Sequence, residues 1–151
     1  MLLIVATIVL ALLAGVILLL RCRKRKRILI TGAKGVGKTV LTNVLMNRTY
    51  PTVPSLHSYT VSTPEYELTD QRITSEEKMH NGYSLIVFIF ANEIDVVLPK
   101  KNVIYVSLGK ENKSFTDLIT NKEQRSLVKR ENVFYLNDDP GKIKEIINAR
   151  I

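Results

Sequence analysis

Residues Gly32, Ala33, Lys34, Gly35, Val36, Gly37, Lys38 and Thr39 follow the spacing G-x-x-x-x-G-K-[ST], which commits a chain to a particular local geometry. Glycines at these positions let the backbone wrap so that its N–H groups point inward, forming a cradle for a polyphosphate. Lys38 would reach the outer phosphates and the Thr39 hydroxyl would ligate Mg²⁺. The flanks agree with this reading. Residues 28–31 (ILIT) are a short β-branched apolar run, and Val40, Leu41, Val44 and Leu45 recur at helical spacing after the loop. Strand, loop and helix in that order place an anion at a helix N-terminus, where the dipole favours it. A chance match in a Gly/Lys-rich turn is the competing reading, and it gives no reason for the strand and the helix.

Residues 1–20 contain no charged side chain and are almost wholly Leu, Ile, Val and Ala. As a helix rising 1.5 Å per residue they would cover roughly 30 Å, one hydrocarbon core. A transmembrane signal-anchor helix is therefore expected over 1–20. A cleaved signal peptide would want basic residues ahead of its apolar core, and none precedes position 21. Residues 21–27 (RCRKRKR) hold six Lys/Arg, a basic juxtamembrane linker that would keep the following domain on the cytosolic side. Beyond it, the remaining 16 Lys/Arg stand against 14 Asp/Glu, so the net charge of +8 falls to +2 over residues 28–151. Cations gathered beside an apolar segment suit anionic headgroups, and no direct nucleic-acid binding is expected. Cys22 is the single cysteine, which excludes an intramolecular disulfide. S-palmitoylation and an unmodified thiol are its two open states.

Downstream, residues 49–58 carry two prolines and read as a loop. Residues 59–63 and 65–68 form two short strands near Pro64, and residues 70–80 suggest a short exposed helix. Residues 85–90 (LIVFIF) and 102–108 (NVIYVSL) read as strands covered on both faces. Residues 113–131 are helical in part, with Leu118, Ile119, Leu127 and Val128 as core contacts. Residues 133–136 make a last strand. A terminal helix opens at Pro140 and carries Ile143, Ile146 and Ile147 on one stripe. This alternation predicts an α/β fold, the P-loop NTPase three-layer sandwich with a mostly parallel sheet, preceded by one N-terminal transmembrane helix. Only residues 91–101 separate the two most apolar strands, which leaves little room for a crossover helix.

An apolar anchor, a basic stop and a phosphate loop, in that order, resemble the beta subunits of the signal recognition particle receptor. These are membrane-anchored small GTPases related to the ADP-ribosylation factors. The resemblance implies a shortened small-GTPase-like domain over 28–151, with GTP and Mg²⁺ as cofactors. It further implies a single-pass location in the endoplasmic reticulum membrane, docking of the receptor's alpha subunit, and indirect association with the ribosome and the signal recognition particle. Gly32, Gly37, Lys38 and Thr39 match the family's first motif. Pro51-Thr52 resembles its effector-loop Pro-Thr, which makes Thr52 a metal ligand beside Thr39. Asp70 stands where the Asp-x-x-Gly aspartate falls, without the glycine, and an N-cap role is its alternative. Lys110 matches the lysine of Asn-Lys-x-Asp, while Gly109 and Asn112 replace its asparagine and aspartate. Lys110 and Asn112 are thus the base-side candidates. No catalytic residue is assigned, and hydrolysis is expected to be slow or to depend on a partner.

Three other functions compete. A membrane-tethered P-loop ATPase or nucleotide kinase would want an Asp-ended apolar strand or an Arg-rich lid, and neither is evident. A membrane-tethered ADP-ribosylation-factor-like trafficking GTPase and a degenerate P-loop scaffold are the other two.

Overall fold

A computed structural model describes residues 2–21, 25–48, 57–71, 82–98, 102–111 and 113–151. Its centre is a six-stranded sheet of order β2-β3-β1-β4-β5-β6. The strands are β1 Lys26–Gly32, β2 Tyr59–Ser62, β3 Tyr66–Asp70, β4 Leu85–Phe90, β5 Val103–Ser107 and β6 Val133–Tyr135. All neighbours run parallel except β2, which turns back on β3. The helices are α1 Leu2–Arg21, α2 Lys38–Leu45, α3 Phe115–Leu118 and α4 Ile143–Arg150. Because β1 begins at Lys26, the last two cations of the basic run are strand residues. Arg27 pairs with Glu67 at 3.3 Å and lies over the Tyr83 ring.

The alternating side chains of the central strands divide the core in two. Ile28, Ile30, Leu68, Val87, Ile89, Ile104 and Val106 face α2 and α4, packing with Leu41, Leu45, Ile143 and Ile147. Leu29, Ile86, Phe88, Phe90, Val103 and Tyr105 face the other way. Each fully buried aliphatic side chain contributes about 1.5–3 kcal/mol. A one-residue slip of β1 would exchange the two sets, so the register is firmly held.

Among the described residues the second face is covered without a long helix. Residues 91–98 run across it as a strap whose Ile94, Val97 and Leu98 are buried. Ile94 forms a parallel bridge with Ile119, and Lys113 pairs with Glu93 at 2.5 Å. Among the described residues between β5 and β6, the helical elements are the four residues of α3 and two 3₁₀ turns, Lys122–Leu127 and Arg130–Asn132. Leu127 is 54% exposed, contrary to the core role expected of it, while Leu118, Ile119 and Val128 are buried. The 3₁₀ turn ends at Leu127, so the periodicity that would bring it inward is not sustained.

The transmembrane helix expected ahead of the domain is corrected. Among the described residues no helix is long and apolar enough to cross a membrane. The single-pass membrane partnership and the endoplasmic reticulum membrane location rested on that span, and both are set aside with it.

Candidate functional site

The loop from β1 to α2 is built on glycines that no other residue could replace without strain. Gly32 (φ 140°) closes β1 against β4, and a Cβ there would lie 2.1 Å from the Ile89 carbonyl oxygen. Gly35 and Gly37 also have positive φ, 80° and 92°, a region open to glycine at little cost. Gly37 is the N-cap of α2 and offers no side chain to its first turn, which also holds no acidic residue. The first helical bond runs from the Leu41 N–H to the Gly37 carbonyl at 3.1 Å. The N–H groups ahead of it have no helical acceptor and face the loop with the positive end of the dipole. At the other end, Asn47 (φ 54°) takes the left-handed position, and the Arg48 N–H closes on the Asn43 carbonyl at 2.9 Å. This C-terminal motif fixes the length of α2.

Lys38 is half-buried and folds across the loop, donating from Nζ to the carbonyls of Gly32 (3.0 Å) and Ala33 (2.5 Å). Thr39 follows in the first turn and is also half-buried, while Ala33, Lys34 and Gly35 are exposed and Val36 packs against the core.

Asp70 is the last residue of β3, level with Ile30 of β1 and two positions short of Gly32. It shares the face of Leu68, so its carboxyl points toward α2. Only 3% of the residue is exposed, and Oδ2 is buried with no hydrogen-bond partner. Burial raises its pKa; the positive charge of Lys38 and a hydrogen bond from the Tyr59 hydroxyl pull it partly back. Asp70 closes the strand, and residues 72–80, where a helix was expected to follow, lie outside the described residues.

The ends of β5 and β6 interlock beside this loop. The N–H groups of Asn137 and Asp138 donate to the carbonyls of Gly109 (3.3 Å) and Leu108 (2.8 Å), and the Leu108 side chain abuts Gly37. Lys110 is exposed on the same loop. Thr52 and Asn112, and with them the expected second metal hydroxyl and base acceptor, lie outside the described residues, as do Cys22 and His80.

The structure thus brings residues 32–39 and Asp70 together at the carboxyl ends of the strands. There the chain leaves β1 for opposite sides of the sheet, the place where open α/β sheets hold ligands. Among the described residues no group of three or more His, Cys, Asp or Glu could hold a metal. Mg²⁺ does not need one: it is commonly held by one or two carboxylates with phosphate oxygens and water. The unpartnered Oδ2 of Asp70 and the Thr39 hydroxyl fit that donor set. Tyr59 and Thr42 were not singled out by the sequence. Thr42 lies one helical turn after Lys38 and donates to its carbonyl at 3.0 Å, which spacing alone could have suggested. Tyr59 carries no such signal.

No protein-family model matches the chain, and no curated protein matches it. Together with the missing membrane span, this corrects the receptor beta-subunit reading. Docking of an alpha subunit and association with the signal recognition particle and the ribosome go with it, as does the membrane-tethered GTPase alternative.

Proposed function

We propose that the chain binds the triphosphate of a nucleotide with Mg²⁺ in the loop between β1 and α2. The observation that carries this reading is the meeting of a glycine-built helix N-terminus with a buried, unpartnered carboxylate oxygen on the neighbouring strand. Backbone N–H groups of residues 33–39 would hold the phosphates, with Lys38 leaving its two carbonyls to bind their outer oxygens. Thr39 and Asp70 would hold the Mg²⁺, which neutralises phosphate charge when bound. GTP is the nucleotide put forward, through Lys110 on the loop after β5, and ATP is its competitor.

The test is equilibrium binding of fluorescent GTP and ATP analogues to the full chain, with and without Mg²⁺. Binding should require the intact loop. Lys38→Ala should weaken it roughly 10- to 100-fold, as expected for losing hydrogen bonds to a charged group worth about 1.5–3 kcal/mol. Equal affinity in the wild type and in Lys38→Ala would sink the proposal. A preference for the ATP analogue would change the base but keep the site.

A further inference from the structure

Leu108 directly follows β5, and hydrogen bonds hold its backbone on both sides. The Leu136 N–H donates to the Ser107 carbonyl at 2.9 Å, and the Asp138 N–H to the Leu108 carbonyl at 2.8 Å. The Leu108 side chain is half-buried and packs against the core cluster that holds Leu41 and Val106, on the face that α2 covers. From there its Cδ1 fills the space that a side chain on Gly37 would need. Gly37 is where the left-handed backbone of the loop (φ 92°) turns into α2, its carbonyl accepting the first helical bond. The N–H groups of Lys38 and Thr39 come next, have no helical acceptor, and take their direction from the conformation held at Gly37.

From this geometry we infer that Leu108 is a positioning residue for the triphosphate: it braces Gly37 from the sheet and so fixes the aim of the N–H groups that open α2. The inference rests on the nucleotide reading above. Glycine reaches the left-handed conformation at little cost, but the same freedom lets it leave. Packing from a neighbour narrows that freedom, and Leu108 is anchored to the sheet rather than to the loop it touches. The tip of the leucine can turn aside without unfolding the domain. Losing the contact should therefore show in ligand binding more than in stability.

The experiment is a double-mutant cycle on the full chain with Mg²⁺, using wild type, Leu108→Ala, Gly37→Ala and the double variant. Affinity is measured for a fluorescent GTP analogue and, by competition, for inorganic tripolyphosphate, which has no base. Urea unfolding run in parallel sets conditions under which every variant is folded. Leu108→Ala should weaken both probes by the same factor, roughly 2- to 100-fold for residues in direct contact, because the brace acts on the phosphate cradle. The two substitutions break one contact from opposite sides, so the double variant should bind more tightly than the product of the single losses predicts. Purely multiplicative losses, or unchanged binding in Leu108→Ala beside normal wild-type binding, overturn this inference and leave the nucleotide reading standing. A loss confined to the GTP analogue overturns it too, since Leu108 would then act on the base side. A wild type that binds neither probe removes both readings. Should Leu108→Ala fail to fold, Leu108→Val, whose shorter side chain loses the reach to Gly37, should weaken both probes, and Leu108→Met, which restores the reach, should recover them. No loss in Leu108→Val would overturn the inference.

Discussion

Gly37 and Leu108 meet with no space between them: a Cβ built on Gly37 would sit 2.2 Å from Leu108 Cδ1. The contact ties the cap of α2 to the loop that ends β5. It also sets apart two glycines that look alike in the sequence. At Gly37 the obstacle is the tip of a flexible side chain, whereas at Gly32 it is the Ile89 backbone carbonyl. Gly37→Ala should cost about 1–2 kcal/mol, mostly for its left-handed backbone. Gly32→Ala should cost more, because β4 cannot withdraw. Urea unfolding of both variants ranks them, and the reverse order would refute the distinction.

Asn137 and Asp138 hold consecutive left-handed conformations, φ 52° and 62°, and the Asp139 N–H closes the turn on the Leu136 carbonyl at 3.0 Å. Asn tolerates that region better than most residues, and a β-branched side chain tolerates it worst. Asn137→Val should lose about 1–2 kcal/mol in denaturant unfolding. It should also speed amide exchange at Asn137 and Asp138, whose N–H groups bind the loop after β5. Unfolding at the wild-type midpoint would count against this.

The Leu98 N–H donates to the Tyr105 hydroxyl at 3.0 Å, with both residues 2% exposed. Tyr105→Phe removes the acceptor and leaves the amide buried and unpaired, at a cost of about 1–3 kcal/mol. Loss of stability with faster exchange at Leu98 is the expected pair of results. Unaltered exchange at Leu98 would mean that the amide has another acceptor.

Asp70 predicts the sign of a pH effect. Burial lifts its pKa above the ordinary 3.8, against the partial opposition of Lys38 and Tyr59. Across the window from 3.8 to the raised value, the folded chain keeps a proton that the unfolded chain has lost. Stability from this group must therefore fall as pH rises through the window, and level off above it. Asp70→Asn removes the buried charge. It should raise the urea midpoint at about pH 7 and flatten the difference between that and about pH 4. A variant less stable than wild type at neutral pH would reverse the sign and defeat the argument.

Much of the sheet was readable before any coordinates, for physical reasons. Residues 85–90 are apolar at every position, and β4 occupies those six residues, buried on both faces. The turn from β1 into α2 was readable because Gly32, Gly35 and Gly37 interrupt the apolar pattern, and all three hold positive φ. Asp70 was ambiguous because a carboxylate before a polar stretch suits a helix cap as well as a strand end; its place as the buried last residue of β3 could not be read from that stretch. That Tyr59 stands opposite Asp70 was invisible because only strand register brings together these residues, eleven positions apart. Leu127 misled because hydrophobicity says that a residue can be buried, not that a 3₁₀ turn will carry it inward.

The strap over residues 91–98 has a consequence for how this domain tolerates change. A helical layer holds its own backbone bonds and can be repaired locally, but the strap depends on partners outside itself, such as Ile119 and Tyr105. Its opening would uncover Phe88 and Phe90 as one cooperative event while the loop at Gly32 to Thr39, on the opposite side of the sheet, kept its helix. The two faces can therefore wear differently over evolutionary time: one is thinned to an extended strap with a short helix and 3₁₀ turns beside it, while the other is obliged to stay whole.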